Sequence, residues 1–335
     1  MVKKCLIIAE AGVNHNGILN NAKKLIRIAA DAKADFIKFQ IFNTKYLVRV
    51  NAPKAKYQIN NSNIKESHFN MLKRLELKES DFEKLIRYSR KLKINFLASV
   101  FSHDSLKIIK KNKINYIKIP SGEITNAPLL KEIGKLKKII FLSTGMSDLK
   151  DIKDALSILI TAGTSKSKIY VMQCNTEYPT PLRDINLNAM LTIKKEFNTK
   201  IGFSDHSIGK EAGGAAVSLG AEVIEKHITI DKKMSGPDHI ASMNKVEFVD
   251  YVKSIRKTEM ILGSFKKRVS PSERKNIRIA RRSIYASRVI CTGEVIKRSD
   301  LVMLRPNVGL SPMEIKKVVG KKAKRNFKKY DLISI

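Results

Sequence analysis

The feature that most constrains the fold is an alternation of two hydrophobic patterns, repeated eight times along the chain. Short runs rich in β-branched residues, typical of buried strands, alternate with longer stretches whose apolar residues recur at helical spacing. Eight strand–helix units over about 260 residues have the length and rhythm of an α/β fold of one kind, the (β/α)8 TIM barrel. The predicted strands are CLIIAE, FIKFQI, NFLASVF, YIKIPS, KIIFLSTG, KIYVMQCN, KIGFSDH and EVIEKHIT.

The pattern changes after Gly263, and this change predicts a domain boundary. Residues 1–263 are expected to form the barrel, residues 264–280 a charged linker, and residues 281–335 a small domain with short elements of its own. The interruption over residues 43–77, after the second strand, is expected to be a loop on the active-site side with some helix. A domain of about 55 residues has little room for a core, which predicts that it leans on another surface.

The charge of the chain is strongly positive, with 65 Lys and Arg against 31 Asp and Glu and a formal net charge of +34. The basic residues are spread along the sequence, there is no Trp, and no stretch interleaves aromatic with basic residues. We therefore expect no nucleic-acid partner and no membrane partner, but a surface that attracts anionic substrates. Three scattered cysteines and the lack of an apolar segment of spanning length predict a cytoplasmic protein.

Polar side chains gather at the carboxyl ends of all eight predicted strands, where a parallel barrel has its active site. Asp205 is one of them. His206 and His227 lie at matching places on consecutive strands, which are about 4.8 Å apart, so the two imidazoles could share one metal ion. Such a site would keep open coordination positions for catalysis. The alternative is that each imidazole is an ordinary hydrogen-bonded residue of the barrel.

Two lysines at strand ends, Lys38 and Lys118, suit a phosphate or a phosphorylated carboxylate. In FIKFQ and IKIPSG, apolar residues take the face opposite each lysine. This argues against the alternative that the lysines extend along the outside of the barrel between helices. The hydroxyl side chains that would complete this set are Ser99, Ser121, Ser143, Thr144 and Thr176.

Nine stretches, in order and over nearly the whole chain, resemble the sialic acid synthases: AEAGVNHNG, IKFQ, APKAKYQ, IKIPSGEITN, LSTGM, CNTEYPTPLRDINL, GFSDHSIG, IEKHITIDKKMSGPDHIASM and LRPNVGLSPMEIKKVVGKKA. The last resembles part of that family's antifreeze-like (SAF) domain. The resemblance implies a transferase that condenses phosphoenolpyruvate with N-acetylmannosamine to N-acetylneuraminate (sialic acid) and phosphate, with Mn²⁺ or Mg²⁺. The alternative is a legionaminic acid synthase acting on 2,4-diacetamido-2,4,6-trideoxymannose. A pseudaminic acid synthase and another phosphoenolpyruvate-dependent sugar-acid synthase complete the candidates.

The resemblance also assigns roles to residues. His206 and His227 are implied to ligate the metal. The residues implied to hold phosphoenolpyruvate are Lys38, Ser99, Lys118, Ser121, Ser143, Thr176 and Ser204. Those implied to face the sugar are Glu10, Gln40, Glu123, Tyr178 and Asp238. Arg305 is expected to reach the sugar from a partner subunit, in a homodimer whose SAF domains cap each other's barrels.

The catalytic carboxyl groups are expected among Glu10, Glu123, Glu225 and Asp238. Glu123 and Glu225 are the candidates to activate water, and Glu225 could instead hold an imidazole or a water on the metal.

Two positions depart from the family's pattern. Ser99 replaces the usual Thr but keeps the hydroxyl, whereas Asn307 stands where many relatives have Gly and stiffens the loop after Arg305. Two rival enzyme classes are disfavoured by the residues. A synthase acting on a sugar phosphate needs a further basic cluster, and a metal-dependent hydrolase on the same barrel needs more metal ligands than the strand ends offer.

Overall fold

The structure, a computed structural model, describes residues 4–61 and 66–335. Eight parallel strands close into a barrel in chain order, and the eighth pairs with the first. The predicted (β/α)8 architecture is confirmed. The strands are β1 (Leu6–Gly12), β2 (Phe36–Ile41), β3 (Asn95–Val100), β4 (Tyr116–Ile119), β5 (Ile139–Ser143), β6 (Ile169–Cys174), β7 (Lys200–Asp205) and β8 (Val223–His227).

Helices form the outer layer around the strands, and their apolar faces are buried against the barrel. Three short helices lie in the interruption after β2, as expected, although residues 62–65 of that stretch are outside the described residues. No helix within residues 4–61 and 66–335 is both long enough and apolar enough to cross a membrane. The helices are α1 (Leu19–Asp31), α2 (Thr44–Leu47), α3 (Lys56–Asn60), α4 (His68–Leu75), α5 (Glu79–Lys91), α6 (His103–Lys111), α7 (Ala127–Lys135), α8 (Leu149–Thr161), α9 (Ala189–Phe197), α10 (Glu211–Ser218) and α11 (Lys245–Leu262).

Inside the barrel, the inward-facing side chains change from apolar to polar along the strands, and this change positions the site. The apolar layer consists of Ile8, Phe36, Leu97, Phe141, Tyr170, Met172 and Val223. Side chains alternate between the two faces of a strand, so a residue two positions further along faces inward again. The residues two positions after members of the apolar layer, at the carboxyl end of each strand, are Glu10, Lys38, Ser99, Ser143, Cys174 and Glu225. An apolar layer therefore fills the interior, and a buried polar layer follows it toward the carboxyl ends of the strands.

The chain divides into two compact units between Gly263 and Ser264. The second unit contains α12 (Arg274–Ala280) and an antiparallel pair of strands, β9 (Ser283–Ala286) and β10 (Leu301–Leu304). The predicted linker, 264–280, falls within this unit and is partly helical. The expectation that the small domain has little core of its own is wrong. Its buried apolar core is made of Ile284, Ala286, Ile290, Ile296, Leu301, Val318, Ala323, Phe327 and Ile333.

Candidate active site

A cavity of about 390 Å³ opens at the carboxyl ends of the barrel strands. All eight strands contribute side chains to its lining, because each strand turns polar at this level. The structure thus brings most of the predicted site residues together. The predicted residues that line the cavity are Glu10, Lys38, Gln40, Ser99, Lys118, Ser121, Ser143, Thr176, Tyr178, Ser204, His206, Glu225 and His227.

Five predicted residues do not line this cavity: Glu123, Thr144, Asp205, Asp238 and Arg305. The hydroxyl group of Thr144 instead donates a hydrogen bond to the backbone carbonyl of Met172 at 3.0 Å. The carboxylate of Glu123 accepts a hydrogen bond from Asn126 Nδ2 at 2.6 Å. Asp238 is buried in the loop after β8, and burial raises the pKa of its carboxyl group to about 7. Arg305 is exposed and belongs to the second unit. Roles for Glu123, Asp238 and Arg305 in the site stay predictions.

Glu225 lies between the two predicted lysines. Its Oε1 accepts hydrogen bonds from Lys38 Nζ at 2.7 Å, Lys118 Nζ at 2.8 Å and Ser204 Oγ at 2.9 Å, and its Oε2 accepts a further one from Lys118. Burial alone would raise the pKa of Glu225, but the charges of Lys118 and Lys38 outweigh burial and hold the pKa well below its usual range. An ionised carboxylate saturated with donors is a weak base. The geometry therefore favours a holding role for Glu225 over water activation.

Glu10 is a buried carboxyl group with weaker partners. Its Oε1 lies 3.5 Å from both Lys38 Nζ and Gln40 Nε2, and its Oε2 has no hydrogen-bond partner in the described part of the chain. Burial raises the pKa of Glu10 to about 7, against the opposing effect of the Lys38 charge. Near neutral pH this group can gain or release a proton, as a general acid or base must.

The two imidazoles lie side by side, with ring centroids 5.4 Å apart. His206 Nδ1 donates to the backbone carbonyl of Asn175, which leaves the lone pair on Nε2, and Nε2 lies 3.2 Å from the hydroxyl groups of Tyr178 and Ser204. Burial lowers the pKa of His206 to about 4 and brings that of His227 well below its usual value. Both rings are therefore neutral at physiological pH.

These two rings fit a divalent cation. Metal binding requires neutral imidazoles, and His227 Nδ1 is buried with no hydrogen-bond partner among the residues described. A Cβ at Gly12 would lie 3.5 Å from that nitrogen, so the glycine keeps this side of the ring open. Over residues 4–61 and 66–335, no group of three or more His, Cys, Asp or Glu side chains could hold a metal ion. A cation on two imidazoles would keep coordination positions for water or substrate.

Hydroxyl groups form another part of the cavity lining. Ser143 Oγ is buried and unpaired within the described residues, and Ser121 Oγ accepts a hydrogen bond from the backbone N–H of Gly145 at 3.0 Å. A Cβ at Gly145 would come within 2.7 Å of Thr176 Cγ2, so the glycine leaves room for these side chains. Hydroxyl groups together with two ammonium groups suit the oxygen atoms of a phosphate or a carboxylate.

Sequence reasoning missed seven lining residues, and two of them, Tyr57 and Cys174, have side chains that can take part in hydrogen bonds. The ring of Tyr57 lies 5.1 Å from that of Tyr178, which stacks on His206 at 4.1 Å. The signal for Tyr57 was the motif APKAKYQ, and Cys174 faces inward by strand alternation. Asp205 requires a correction. It was expected at the mouth, but its side chain lies outside the cavity because both of its chain neighbours face inward.

Known proteins are similar in sequence to this chain. The chain matches the NeuB family over residues 25–267 and the SAF domain over residues 281–334. It is 46% identical over 332 residues to the N,N'-diacetyllegionaminic acid synthase of Campylobacter jejuni, covering 99% of each chain. It is 41% identical over 324 residues to the N,N'-diacetyllegionaminic acid synthase of Legionella pneumophila, covering 96% of this chain and 91% of the relative.

A solved structure shares the fold. The crystal structure of the N-acetylneuraminic acid (sialic acid) synthetase of Leptospira borgpetersenii in complex with citrate matches with a TM-score of 0.71 and 34% identity, over 82% of this chain and 90% of that one. The resemblance drawn from the motifs is thereby confirmed. The similarity to the C. jejuni and L. pneumophila synthases favours the legionaminic alternative over the main expectation of an N-acetylneuraminate synthase. The chain belongs to the NeuB family and is an enzyme, a nonulosonic acid synthase of the phosphoenolpyruvate-dependent class.

Proposed function

We propose that this protein is an N,N'-diacetyllegionaminic acid synthase. In this proposal it condenses phosphoenolpyruvate with 2,4-diacetamido-2,4,6-trideoxymannose and releases phosphate. The observation that carries the proposal is the 46% identity to the C. jejuni synthase over 99% of both chains. The cavity supports it with buried ammonium groups, hydroxyl groups and two adjacent imidazoles.

The charges of the cavity suit an anionic substrate. Lys38 and Lys118 are paired with the single carboxylate of Glu225, so one positive charge is left over. The net charge of the cavity then depends on Glu10, because its ionised form cancels the remaining positive charge and its protonated form preserves it. Phosphoenolpyruvate therefore binds best when Glu10 is protonated, and the proton is then available inside the cavity. The two lysines neutralise the substrate and fix its reactive face.

The reaction joins C3 of phosphoenolpyruvate to the aldehyde carbon of the open-chain sugar. The enol electron pair forms the carbon–carbon bond, and the carbonyl electron pair moves to the aldehyde oxygen, which takes up a proton from Glu10. Water adds to the cationic C2 and gives a proton to Glu10, which the previous step left ionised. The tetrahedral adduct then loses phosphate by cleavage of the C2–O bond, and the C2 hydroxyl group gives its proton to the departing phosphate as the keto group forms. Glu225 takes no proton in this scheme, since its role is to hold the two lysines.

We further propose that His206 and His227 hold the divalent cation, Mn²⁺ or Mg²⁺. When bound, such an ion supplies Lewis-acid stabilisation of negative charge on the aldehyde oxygen. The chain's own part is to keep both rings neutral and oriented. The carbonyl of Asn175 fixes the tautomer of His206, and the ring of Tyr178 packs on its face.

The predicted assembly belongs to the same proposal. In a homodimer, each SAF domain would cap the barrel of the partner subunit, and Arg305 would reach the sugar's acetamido group from there. Sedimentation showing a fully active, stable monomer would rule this arrangement out. The cytoplasmic location also stays a prediction.

The decisive experiment measures phosphate release from phosphoenolpyruvate with two acceptors, N-acetylmannosamine and the diacetamido sugar, each with and without a chelator. We expect kcat/KM to be at least about tenfold higher for the diacetamido sugar, because polar groups that bind a second acetamido group are left unpaired by the simpler sugar. The chelator should abolish turnover, and added Mn²⁺ should restore it.

The second candidate is an N-acetylneuraminate synthase, which the 34% identity to the Leptospira synthetase favours. An equal or higher kcat/KM with N-acetylmannosamine would select it. Phosphate release from neither acceptor would refute both candidates, and full turnover in the chelator would refute the metal.

A further inference from the structure

A buried ion pair lies on β7 and β8, on the side of these strands opposite the two imidazoles. Asp205 precedes His206 and Lys226 precedes His227 in the chain, and the two charged residues are register partners on β7 and β8. Both imidazoles line the cavity and neither charged residue does, because side chains alternate along a strand. We propose that Asp205 and Lys226, with Tyr251 of α11, are positioning residues that fix the two imidazoles relative to each other. This inference rests on the proposed metal site.

The carboxylate of Asp205 is completely buried and is held by four donors. Its Oδ2 accepts hydrogen bonds from Lys226 Nζ at 3.0 Å and from the Tyr251 hydroxyl at 2.9 Å. Its Oδ1 accepts from the backbone N–H of Ser207 at 3.0 Å and from the Ser207 hydroxyl at 2.6 Å. Ser207 is the residue after His206. The side chain of the residue before His206 therefore binds the residue after it, and these hydrogen bonds fix the turn that carries this imidazole.

Lys226 connects the turn around His206 to β8. Its ammonium group is buried, and besides pairing with Asp205 it donates to the backbone carbonyl of Ser207. The turn around His206 is thus bonded to Lys226, the residue next to His227. We expect loss of these contacts to alter the 5.4 Å separation of the two ring centroids.

Tyr251 anchors the pair to the helix layer. Its hydroxyl binds Asp205, and Lys226 Nζ lies 5.5 Å from the centroid of its ring. Gly213 of α10 leaves the space for this ring, since a Cβ there would lie 2.4 Å from the Tyr251 hydroxyl oxygen. Apolar residues occupy corresponding outer positions on other strands, as Ile37 does on β2. Apolar residues would pack behind the imidazoles at no desolvation cost, but only an ion pair with directed hydrogen bonds fixes their orientation.

The test measures binding of Mn²⁺ and of phosphoenolpyruvate, separately, to the full chain freed of metal, by titration calorimetry. In Asp205→Asn we expect the Kd for Mn²⁺ to rise about 10- to 100-fold while the Kd for phosphoenolpyruvate changes less than about twofold. The lysines that bind the anion lie on β2 and β4, away from this pair. Asp250→Asn is the matched control on α11. It removes an exposed ion pair with Lys210 and should change neither Kd.

A folded Asp205→Asn variant whose Mn²⁺ affinity stays within about twofold of wild type overturns the proposal, which expects a loss of about tenfold or more. Equal losses of both affinities also overturn it, because they mark general disruption. If Asp205→Asn does not fold, the Tyr251→Phe variant is measured instead. A threefold or larger loss of Mn²⁺ affinity in that variant supports the positioning role, and an unchanged affinity overturns it.

A wild-type chain that binds no Mn²⁺ would refute the metal proposal by itself. Turnover then decides the positioning role. A kcat of Asp205→Asn well below that of Asp250→Asn, at unchanged KM for phosphoenolpyruvate, supports it, and equal kcat values overturn it.

Discussion

Replacing Glu225 by Gln leaves two buried ammonium groups facing an uncharged amide. Lys38 and Lys118 approach the carboxylate at 2.7 Å and 2.8 Å, and none of the three side chains is more than 4% exposed. Removing one partner of a buried ion pair costs about 3–5 kcal/mol. One carboxylate serves two cations here, but Glu10, 3.5 Å from Lys38, still offsets part of the charge. We therefore expect Glu225→Gln to lower the free energy of unfolding of the barrel by about 3–5 kcal/mol.

Thermal unfolding measures this effect. A loss of 1 kcal/mol lowers Tm by about 2–4 °C in domains of similar size, so we expect a fall of roughly 6–20 °C at pH 7. The sign of the pH dependence follows from the depressed pKa of Glu225. A depressed carboxyl pKa contributes stability above the unfolded-state value, about 4.3, and that contribution is lost as the pH falls below it. The Tm difference between wild type and variant should therefore shrink below about pH 4.

Phosphoenolpyruvate should raise the Tm of Glu225→Gln more than that of the wild type, because the bound anion restores negative charge beside the lysines. Asp154→Asn is the control, since it removes an ion pair with Lys150 whose side chains are 60% and 81% exposed, and such pairs contribute less than about 1 kcal/mol. The reasoning is refuted if Glu225→Gln unfolds within about 2 °C of the control, or if its Tm difference from wild type is the same at pH 3 and pH 7.

Two further predictions concern single positions near the cavity. Burial raises the folded-state pKa of Asp238 to about 7, so wild type loses stability as the pH rises from about 4 to 7, and Asp238→Asn lacks this loss. The Tm of the variant relative to wild type should increase over that range, and a constant difference would contradict the burial of this carboxyl group. Gly145→Ala places a methyl group 2.7 Å from Thr176 Cγ2 and 2.8 Å from Ser121 Oγ. We expect the KM for phosphoenolpyruvate to rise at least about tenfold in steady-state phosphate release, and an unchanged KM would place the anion elsewhere.

The sequence by itself determined the barrel and the side of each strand that faces its interior. Strand and helix periods repeat eight times, and this local pattern selects the eight-unit parallel barrel. The alternation around Lys38 and Lys118 indicated that both face inward, as the structure shows. The same rule, applied fully, places Asp205 outside, because neighbours in a strand face opposite ways. The motifs, taken in order, were enough to indicate the family.

Only the tertiary structure decided which polar groups meet. Glu225 binds two lysines that are 187 and 107 residues away in the chain, and no spacing in the sequence indicates that these three side chains converge on one carboxylate. The protonation of Glu10 and the neutrality of His206 and His227 also follow from burial and from neighbours supplied by other strands. The physical reason is that the spacing of apolar residues indicates only which face of a strand or helix is buried. Contacts across the barrel depend on its closure and on the register of its strands, which arise only when all eight strands have assembled.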